Sequence, residues 1–467
     1  MEPQVVRKPA SHRGKPIRIY TILRIEYLFL VLMNITLKDE RLGKRWLILV
    51  RAQMKVASPL AAGVGVLPSS TQALAATQAA WRFYNNERVT LAELVEPLRD
   101  HAREQVALSK APFVLVAHDW SKLSFPGHGF RRDMAELSND TDVGYEITAA
   151  LAISGENGTP LAPLELHMKT KDAFLSTRAP APPPVPHLEQ VLPTLEASRG
   201  WKLGKPIVNL IDREADSVGH WRQWDGAGHK LLIRADDRVV RWEERHLKLS
   251  DIRIKLRERD AYQAAGAALY HGRKARLRVA ETTVVLDRPA RTMIGKKQVS
   301  VPGPPLTMRL ILTRVEDEHG KLLAEWYLLS NVPAAWADAA KLARCYYWRW
   351  RIETYFKLLK SHGLQLEDWR QETGPAIARR LLVASMACVT VWQLLADDSA
   401  PATKLKDVLV SLSGRQMKRK TPHTAPALLA GLWMLLAMFD VLEEHDLSAL
   451  KTLVTQVRLP IPLLRTG

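Results

Sequence analysis

The apolar positions change texture along the chain. Residues 35–107 are patterned as helices. Ser69-Ser70-Thr71 offers a helix start, and an Ala-rich run leads to Trp81-Arg82-Phe83-Tyr84 before Asn85-Asn86 stops it. From Pro112 the pattern turns strand-like. Phe113-Val114-Leu115-Val116-Ala117 is a continuous apolar run ending in His118-Asp119, which suits a buried strand with an acid at its tip. Residues 145–153 and 161–168 are two further strand candidates, and Glu156-Asn157-Gly158 between them is a hairpin turn. The Pro-rich stretch 180–186 is an extended connector. Pro206-Ile207-Val208-Asn209-Leu210-Ile211 repeats the buried-strand pattern and again ends in an acid, Asp212. Residues 231–234, 275–286, 308–313 and 326–330 are β-rich, and nearly everything from Ala335 onward is helical.

The pattern divides the chain into residues 1–34, a basic extension; 35–107, a helical domain; 108–365, a mixed α/β domain interrupted by a β-rich insertion over about 230–332; and 366–467, a second helical domain. Strand and hairpin, a second strand, then a later helix is the order of a ribonuclease-H-like core. Residues 1–34 are either a flexible basic arm or an upstream start preceding an initiator at Met33.

Charge adds the first functional constraint. The 467 residues carry 67 Lys plus Arg against 49 Asp plus Glu, a net +18 that attracts polyanions. Nucleic acid and an acidic membrane surface would both satisfy it. The apolar stretch 27–33 is too short to cross a bilayer and lacks a cleavage site, so no signal peptide is expected. Residues 427–439 are more apolar but fall below the ~20 residues of a spanning helix; they are expected in a core or a dimer interface. Two cysteines, Cys345 and Cys388, and no Cys/His cluster with zinc spacing point to a reducing compartment without structural zinc.

The chemistry concentrates in Tyr346-Tyr347-Trp348-Arg349-Trp350-Arg351-Ile352-Glu353-Thr354-Tyr355-Phe356-Lys357-Leu358-Leu359-Lys360. On one continuous helix, Tyr346, Arg349, Glu353, Lys357 and Lys360 share a stripe about 80° wide. A carboxylate among an arginine and two lysines suits a site that holds metal and phosphate together; a solvated face with a Glu353–Lys357 pair is the plainer reading. The strand-end acids Asp119 and Asp212 favour the first. Phosphodiester chemistry with two metals needs several carboxylates, and magnesium accepts oxygen ligands. Glu214 and Asp216 lie past the strand end, where acids serve the first turn of a helix. A metal role for His118 is a minority reading, and Gly63-Val64-Gly65 lacks the strand and helix of a nucleotide loop.

These residues carry a family resemblance. Tyr346-x2-Arg349-x3-Glu353-x6-Lys360 resembles the Y-R-E-K signature of the insertion-sequence transposases of the IS-four and Tn-five group. Asp212-Arg213-Glu214-Ala215-Asp216 looks like that group's D-R-E-A-D segment, and Asp119-Trp120-Ser121-Lys122-Leu123-Ser124-Phe125 is similar to the segment around its first catalytic Asp. Asp39-Glu40-Arg41 through Arg45, and Ala80-Trp81-Arg82-Phe83-Tyr84-Asn85, resemble its N-terminal helical domain. The likeness covers roughly residues 35–395. It departs at Asp119-Trp120-Ser121, where the family often has Asp-Thr-Thr, and beyond about residue 400.

The resemblance implies a cut-and-paste DNA transposase with a ribonuclease-H-like catalytic core. Asp119, Asp212 and Glu353 would be catalytic and would bind Mg2+, with Mn2+ able to substitute. Tyr346, Arg349, Lys357 and Lys360 would grip DNA phosphate, Trp326 would stack on a flipped base, and Arg234 would contact DNA. For Trp326 a core position on a strand, and for Arg234 a surface salt bridge, stand as alternatives. It further implies double-stranded DNA at transposon ends and targets as partner, a homodimer on DNA, no membrane, a hairpin intermediate, and a bacterial-type cytoplasmic location at the nucleoid. A metal-dependent nuclease that does not join strands, and a non-catalytic DNA-binding relative, are the rival functions.

Overall fold

The computed structural model describes residues 39–55, 70–125, 130–137, 142–179, 181, 187–215, 217–270, 272–294, 297–360, 363–415 and 423–456. The 1–34 extension, the 27–33 stretch, Gly63-Val64-Gly65, Ser69, Asp216 and all of the 180–186 connector except residue 181 lie outside them.

Among the described residues three helices come first: α1 (Glu40–Lys55), α2 (Ser70–Tyr84) and α3 (Leu91–Leu108). A capping box starts α3, with the Thr90 hydroxyl accepting from the Glu93 amide while the Glu93 carboxylate takes the Thr90 amide. Then follow β1 (Val114–Ser124), β2 (Ala135–Glu136), β3 (Val143–Ile153), β4 (Pro160–Lys169), β5 (Phe174–Ser176), α4 (His187–Ala197), β6 (Ile207–Ile211), α5 (Val218–Gly226) and β7 (Lys230–Ala235). The β-rich stretch supplies β8 (Val239–Trp242), β9 (Arg245–Lys248), α6 (Leu249–Glu258), β10 (Gln263–Tyr270), β11 (Arg273–Leu286), β12 (Ala290–Ile294), β13 (Lys297–Val301), β14 (Leu306–Glu316) and β15 (Leu322–Ser330). Helices α7 (Ala339–Trp348), α8 (Arg351–Leu359), α9 (Gly374–Ala396), α10 (Ala400–Leu412), α11 (Ala425–Glu444) and α12 (Leu447–Gln456) complete the described chain.

One large mixed sheet organises these elements, in the order β5-β4-β3-β1-β6-β7-β15-β14-β11-β8-β9. β1 is antiparallel to β3 but parallel to β6, and β6 is parallel to β7. Parallel neighbours need crossovers, and α5 supplies the one between β6 and β7. The continuous apolar runs of β1 and β6 follow from this position: residues 113–117 and Val208, Leu210 and Ile211 are buried in the middle of the sheet. This mixed α/β architecture, with a hairpin strand pair on one side of β1 and two parallel strands on the other, is consistent with a ribonuclease-H-like core. The β-rich stretch is not a sheet of its own. β7, at its expected start, is a strand of the core, and β15 pairs with β7, so the remaining strands extend the same sheet; β12 and β13 form a separate hairpin.

The expected Glu156-Asn157-Gly158 turn joins β3 to β4 and also braces the later helices. Gly158 has φ +76°, and its carbonyl accepts from Arg351 Nε at 3.0 Å. A Cβ at this position would land on the ring of Trp348. Gly158→Ala is therefore expected to destabilise the fold by roughly 2–4 kcal/mol, from left-handed strain plus overpacking; urea unfolding measures it.

α9 is the buried rod of the helical part. Arg379 on it donates to the Val89 carbonyl at 2.8 Å and the Tyr84 carbonyl at 2.9 Å, which ties the chain's first helices to its later ones. By length and composition alone both α9 and α11 could cross a membrane. For α11 this corrects the expectation drawn from 427–439, because the helix extends well beyond that stretch. α9 is packed almost entirely inside the protein. α11 buries Leu428, Leu429 and Leu436, while Met438, Val441 and Leu442 are exposed.

Candidate active site

Register places the first two acids. His118 on β1 stands level with Ile211 on β6, and Ile211 with Ile233 on β7. The residues that follow these are Asp119, Asp212 and Arg234, so the three form a row across the sheet at the level where β6 ends. Asp119 is not at a strand tip, as the apolar run suggested. β1 continues to Ser124 through its antiparallel pairing with β3, and only its parallel partner ends at that level.

The third acid arrives from the helices. Residues 346–360 are not one helix, since α7 ends at Trp348 and α8 begins at Arg351. The ladder tightens between them: the Arg349 amide reaches the Tyr346 carbonyl at 3.0 Å and the Ile352 amide reaches the Arg349 carbonyl at 3.1 Å. Glu353 lies in the first turn of α8, the favourable end of the helix dipole for a carboxylate.

All three acids converge on Arg349. Its guanidinium is 3.3 Å from Asp119, 3.2 Å from Asp212 and 2.8 Å from Glu353, with a side chain only 3% exposed. Burial acts to lower its pKa, but the negative charges of Asp212, Asp119 and Glu353 outweigh it, and Arg349 is held firmly as a cation. Burial pushes Asp119 up to about 6, opposed by Arg349 and by the Trp120 amide at 2.9 Å, and reinforced by Asp212 and Glu353. The Tyr346 hydroxyl donates to Asp212 Oδ1 at 3.0 Å, and burial raises its pKa so that it stays a donor. The plainer Glu353–Lys357 pair does not form: Glu353 pairs backward to Arg349.

The other expected residues divide. Arg234 adjoins the site, close enough that its charge acts on Tyr346; among the described residues it has no salt bridge. Lys357 is exposed one turn beyond Glu353. Lys360 turns away, donating to the Lys122 carbonyl and lying 3.7 Å from Glu367. Trp326 is 3% exposed on β15 and packs against Tyr346 and Tyr347, as a core tryptophan does. The aromatic surface nearer solvent is its neighbour: Tyr347 stacks on Trp350 at 6.5 Å and 25°, and Trp350 meets Tyr270 at 5.9 Å. The i, i+3 spacing of Tyr347 and Trp350 was the sequence signal for that pair. His118 faces the other way, buried with Nε2 2.9 Å from Asn209 Oδ1. Glu214 is exposed on a short 3-10 turn.

Behind Asp119 is a cluster the sequence did not announce. Glu165 on β4, 1% exposed, accepts from His167 at 2.7 Å, Arg178 at 2.6 Å and Thr194 at 2.9 Å. A narrow cavity lined by Asp119, Thr148, Glu165, His167 and Thr194 separates the cluster from the acids. The available signal was an acid inside an otherwise apolar strand run, Leu164-Glu165-Leu166.

The donor set fits divalent metal, since three carboxylates already surround one cationic group. Among the described residues no three acids, histidines or cysteines are drawn close enough to hold an ion as they stand. Arg349 sets that spacing, because each carboxylate rests on the guanidinium. Asp119, Asp212 and Glu353 would hold the metal once Arg349 withdraws.

None of the curated proteins matches the chain. Residues 181–390 match the family model described as the transposase DDE domain. That stretch is under half of the chain and contains Asp212 and Glu353 but not Asp119, which the sheet register and Arg349 bring to them. The matched stretch and the meeting of the three acids together support a DDE transposase.

Proposed function

We propose that the protein is a cut-and-paste DNA transposase of the IS-four and Tn-five type, with Asp119, Asp212 and Glu353 as its catalytic, metal-holding acids. The carrying observation is that these acids, far apart in sequence, meet around one buried guanidinium. Bound magnesium, or manganese, supplies Lewis-acid polarisation of the scissile phosphate and an activated water. The chain's residues do the rest. Arg349, released from the acids, offers its planar donors to phosphate. Tyr346 keeps Asp212 oriented, and Arg234 and Lys357 add positive charge along the strand, with Lys360 available if it exchanges Glu367 for phosphate. Trp326 lies behind Tyr347 and Trp350, so a flipped base reaches it only if those rings part.

The nicked strand's 3′ hydroxyl attacks the opposite strand to close a hairpin, and reopening frees the end for transfer to target DNA. Each step exchanges one phosphodiester or hydrolyses it, so no nucleotide triphosphate is consumed. Helices in 35–107 serve end binding and those in 366–467 serve a homodimer, with the exposed Met438, Val441 and Leu442 of α11 as the apolar surface it would cover. We place the protein in a bacterial-type cytoplasm, on the nucleoid when DNA-bound.

The deciding experiment incubates DNA carrying the element's own ends with the protein, in magnesium and in chelator, beside Asp212→Ala. Metal-dependent cutting with hairpin products, absent in the variant, is expected. Cutting without hairpins or strand transfer would favour a nuclease, and salt-sensitive binding without cutting would favour a non-catalytic DNA-binding protein.

A further inference from the structure

A cavity of about 620 Å³ opens between the start of α5 and the β8 and β11–β13 region. Its lining includes Arg238, Arg288 and Arg291 together with Ser217 and Ser300 and, among the described residues, no carboxylate. The volume is that of a ligand pocket, but such pockets are mainly apolar, whereas three arginines crowd this one. Arginines gathered around one cavity make an anion a favourable occupant.

The arginines are held in place. Arg238 lies over the Trp221 ring at 4.3 Å, which fixes the plane of its guanidinium. Arg222 on α5 donates to the carbonyls of Leu286 and Arg288, both at 2.9 Å, and pins the turn that presents the Arg288 side chain. Among the described residues the side chains of Arg288 and Arg291 have no carboxylate partner; the nearby Asp287 is engaged by Arg241 at 3.0 Å and His246 at 3.0 Å. Ser217 in the cavity wall is five residues past Asp212, on the segment that leaves the active site.

We propose that this cavity is a phosphate-binding site of the β-rich extension, and that its occupant is a backbone phosphodiester of the DNA whose cutting the acids perform. The inference rests on the DNA-transposase reading for the source of the phosphate. Arginine suits this ligand because its fork of donors matches phosphate oxygens and keeps its charge at any working pH. Such a contact holds the duplex without reading bases, fixing where the strand lies relative to Asp212.

The test is a salt titration of binding, measured in chelator so that cleavage plays no part. A short fluorescein-labelled duplex is the probe, followed by anisotropy, for wild type, R288Q/R291Q and R288K/R291K. Losing two phosphate contacts should lower the slope of log affinity against log salt by about 2, because each neutralised phosphate contributes ~0.9. Affinity at low salt should fall roughly tenfold or more, and the lysine variant should recover most of the slope. Both side chains are exposed, so thermal unfolding should be unchanged and a folding defect is separable.

An unchanged slope in R288Q/R291Q would overturn the proposal. So would stabilisation of wild type by inorganic phosphate with no difference in DNA binding, since the occupant would then be a free anion. If wild type binds DNA with the predicted slope but never cuts it in magnesium, the catalytic reading fails while this site stands.

Discussion

Glu353→Gln is expected to slow magnesium-dependent cleavage by at least about a thousandfold, about 4 kcal/mol of barrier, while DNA affinity in chelator stays within about twofold. Glutamine keeps the volume, and its carbonyl can still accept from Arg349, which now sits 2.8 Å from Glu353 Oε1. The helix therefore stays docked, and what is lost is one of three negative donors. Metal needs that charge, because neutral carboxamide oxygen binds a hard cation more weakly than carboxylate does. A solvated-face role predicts a different outcome: an exposed i, i+4 pair is worth only about 0.2–0.5 kcal/mol, and cleavage would be untouched. Single-turnover cleavage of end DNA beside anisotropy separates the two. Cleavage retained within a few fold would remove Glu353 from the active site.

The elements that place this site were legible to different depths. The strands carrying Asp119 and Asp212 could be read directly, because a strand buried on both faces must be apolar throughout, and the polar residue that ends each run is conspicuous. The hairpin at Glu156-Asn157-Gly158 was equally plain from its turn residues. The length of β1 beyond Asp119 was hidden. Its second half is held by antiparallel pairing with β3 alone, and pairing partners distant in sequence leave no local mark. The break at Arg349 was hidden for a related reason. Nothing in Trp348-Arg349-Trp350 forbids a helix, and the tightened turn is stabilised by what Arg349 finds once folded. The family resemblance assigns Arg349 a phosphate to grip; the fold sets it against the three acids.

Glu165→Ala is expected to destabilise the protein by about 3–5 kcal/mol, although Glu165 belongs to no motif. The carboxylate is 1% exposed and takes donors from His167, Arg178 and Thr194. Alanine would strand a guanidinium and a buried imidazole without their shared acceptor, and it is that uncompensated polarity, more than the missing volume, that costs. Burial alone would raise the Glu165 pKa, yet the hydrogen bonds and charges of His167 and Arg178 bring it from 4.5 down to about 2. A carboxylate lowered on folding stabilises the native state fully above its unfolded value and loses that contribution as pH falls through the folded one. The window is thus about pH 4.5 to 2, and the amount is about 3 kcal/mol. Urea unfolding of wild type should show this loss between those limits, whereas Glu165→Gln, with nothing to titrate there, should lack this component of the slope. Equal pH dependence in the two proteins would mean that Arg178 and His167 do not hold Glu165 ionised. The cluster walls the cavity behind Asp119, so the same variants also ask whether the catalytic strand needs a rigid backing. If it does, Glu165→Gln, folded at neutral pH, should bind DNA normally but cut it more slowly than wild type.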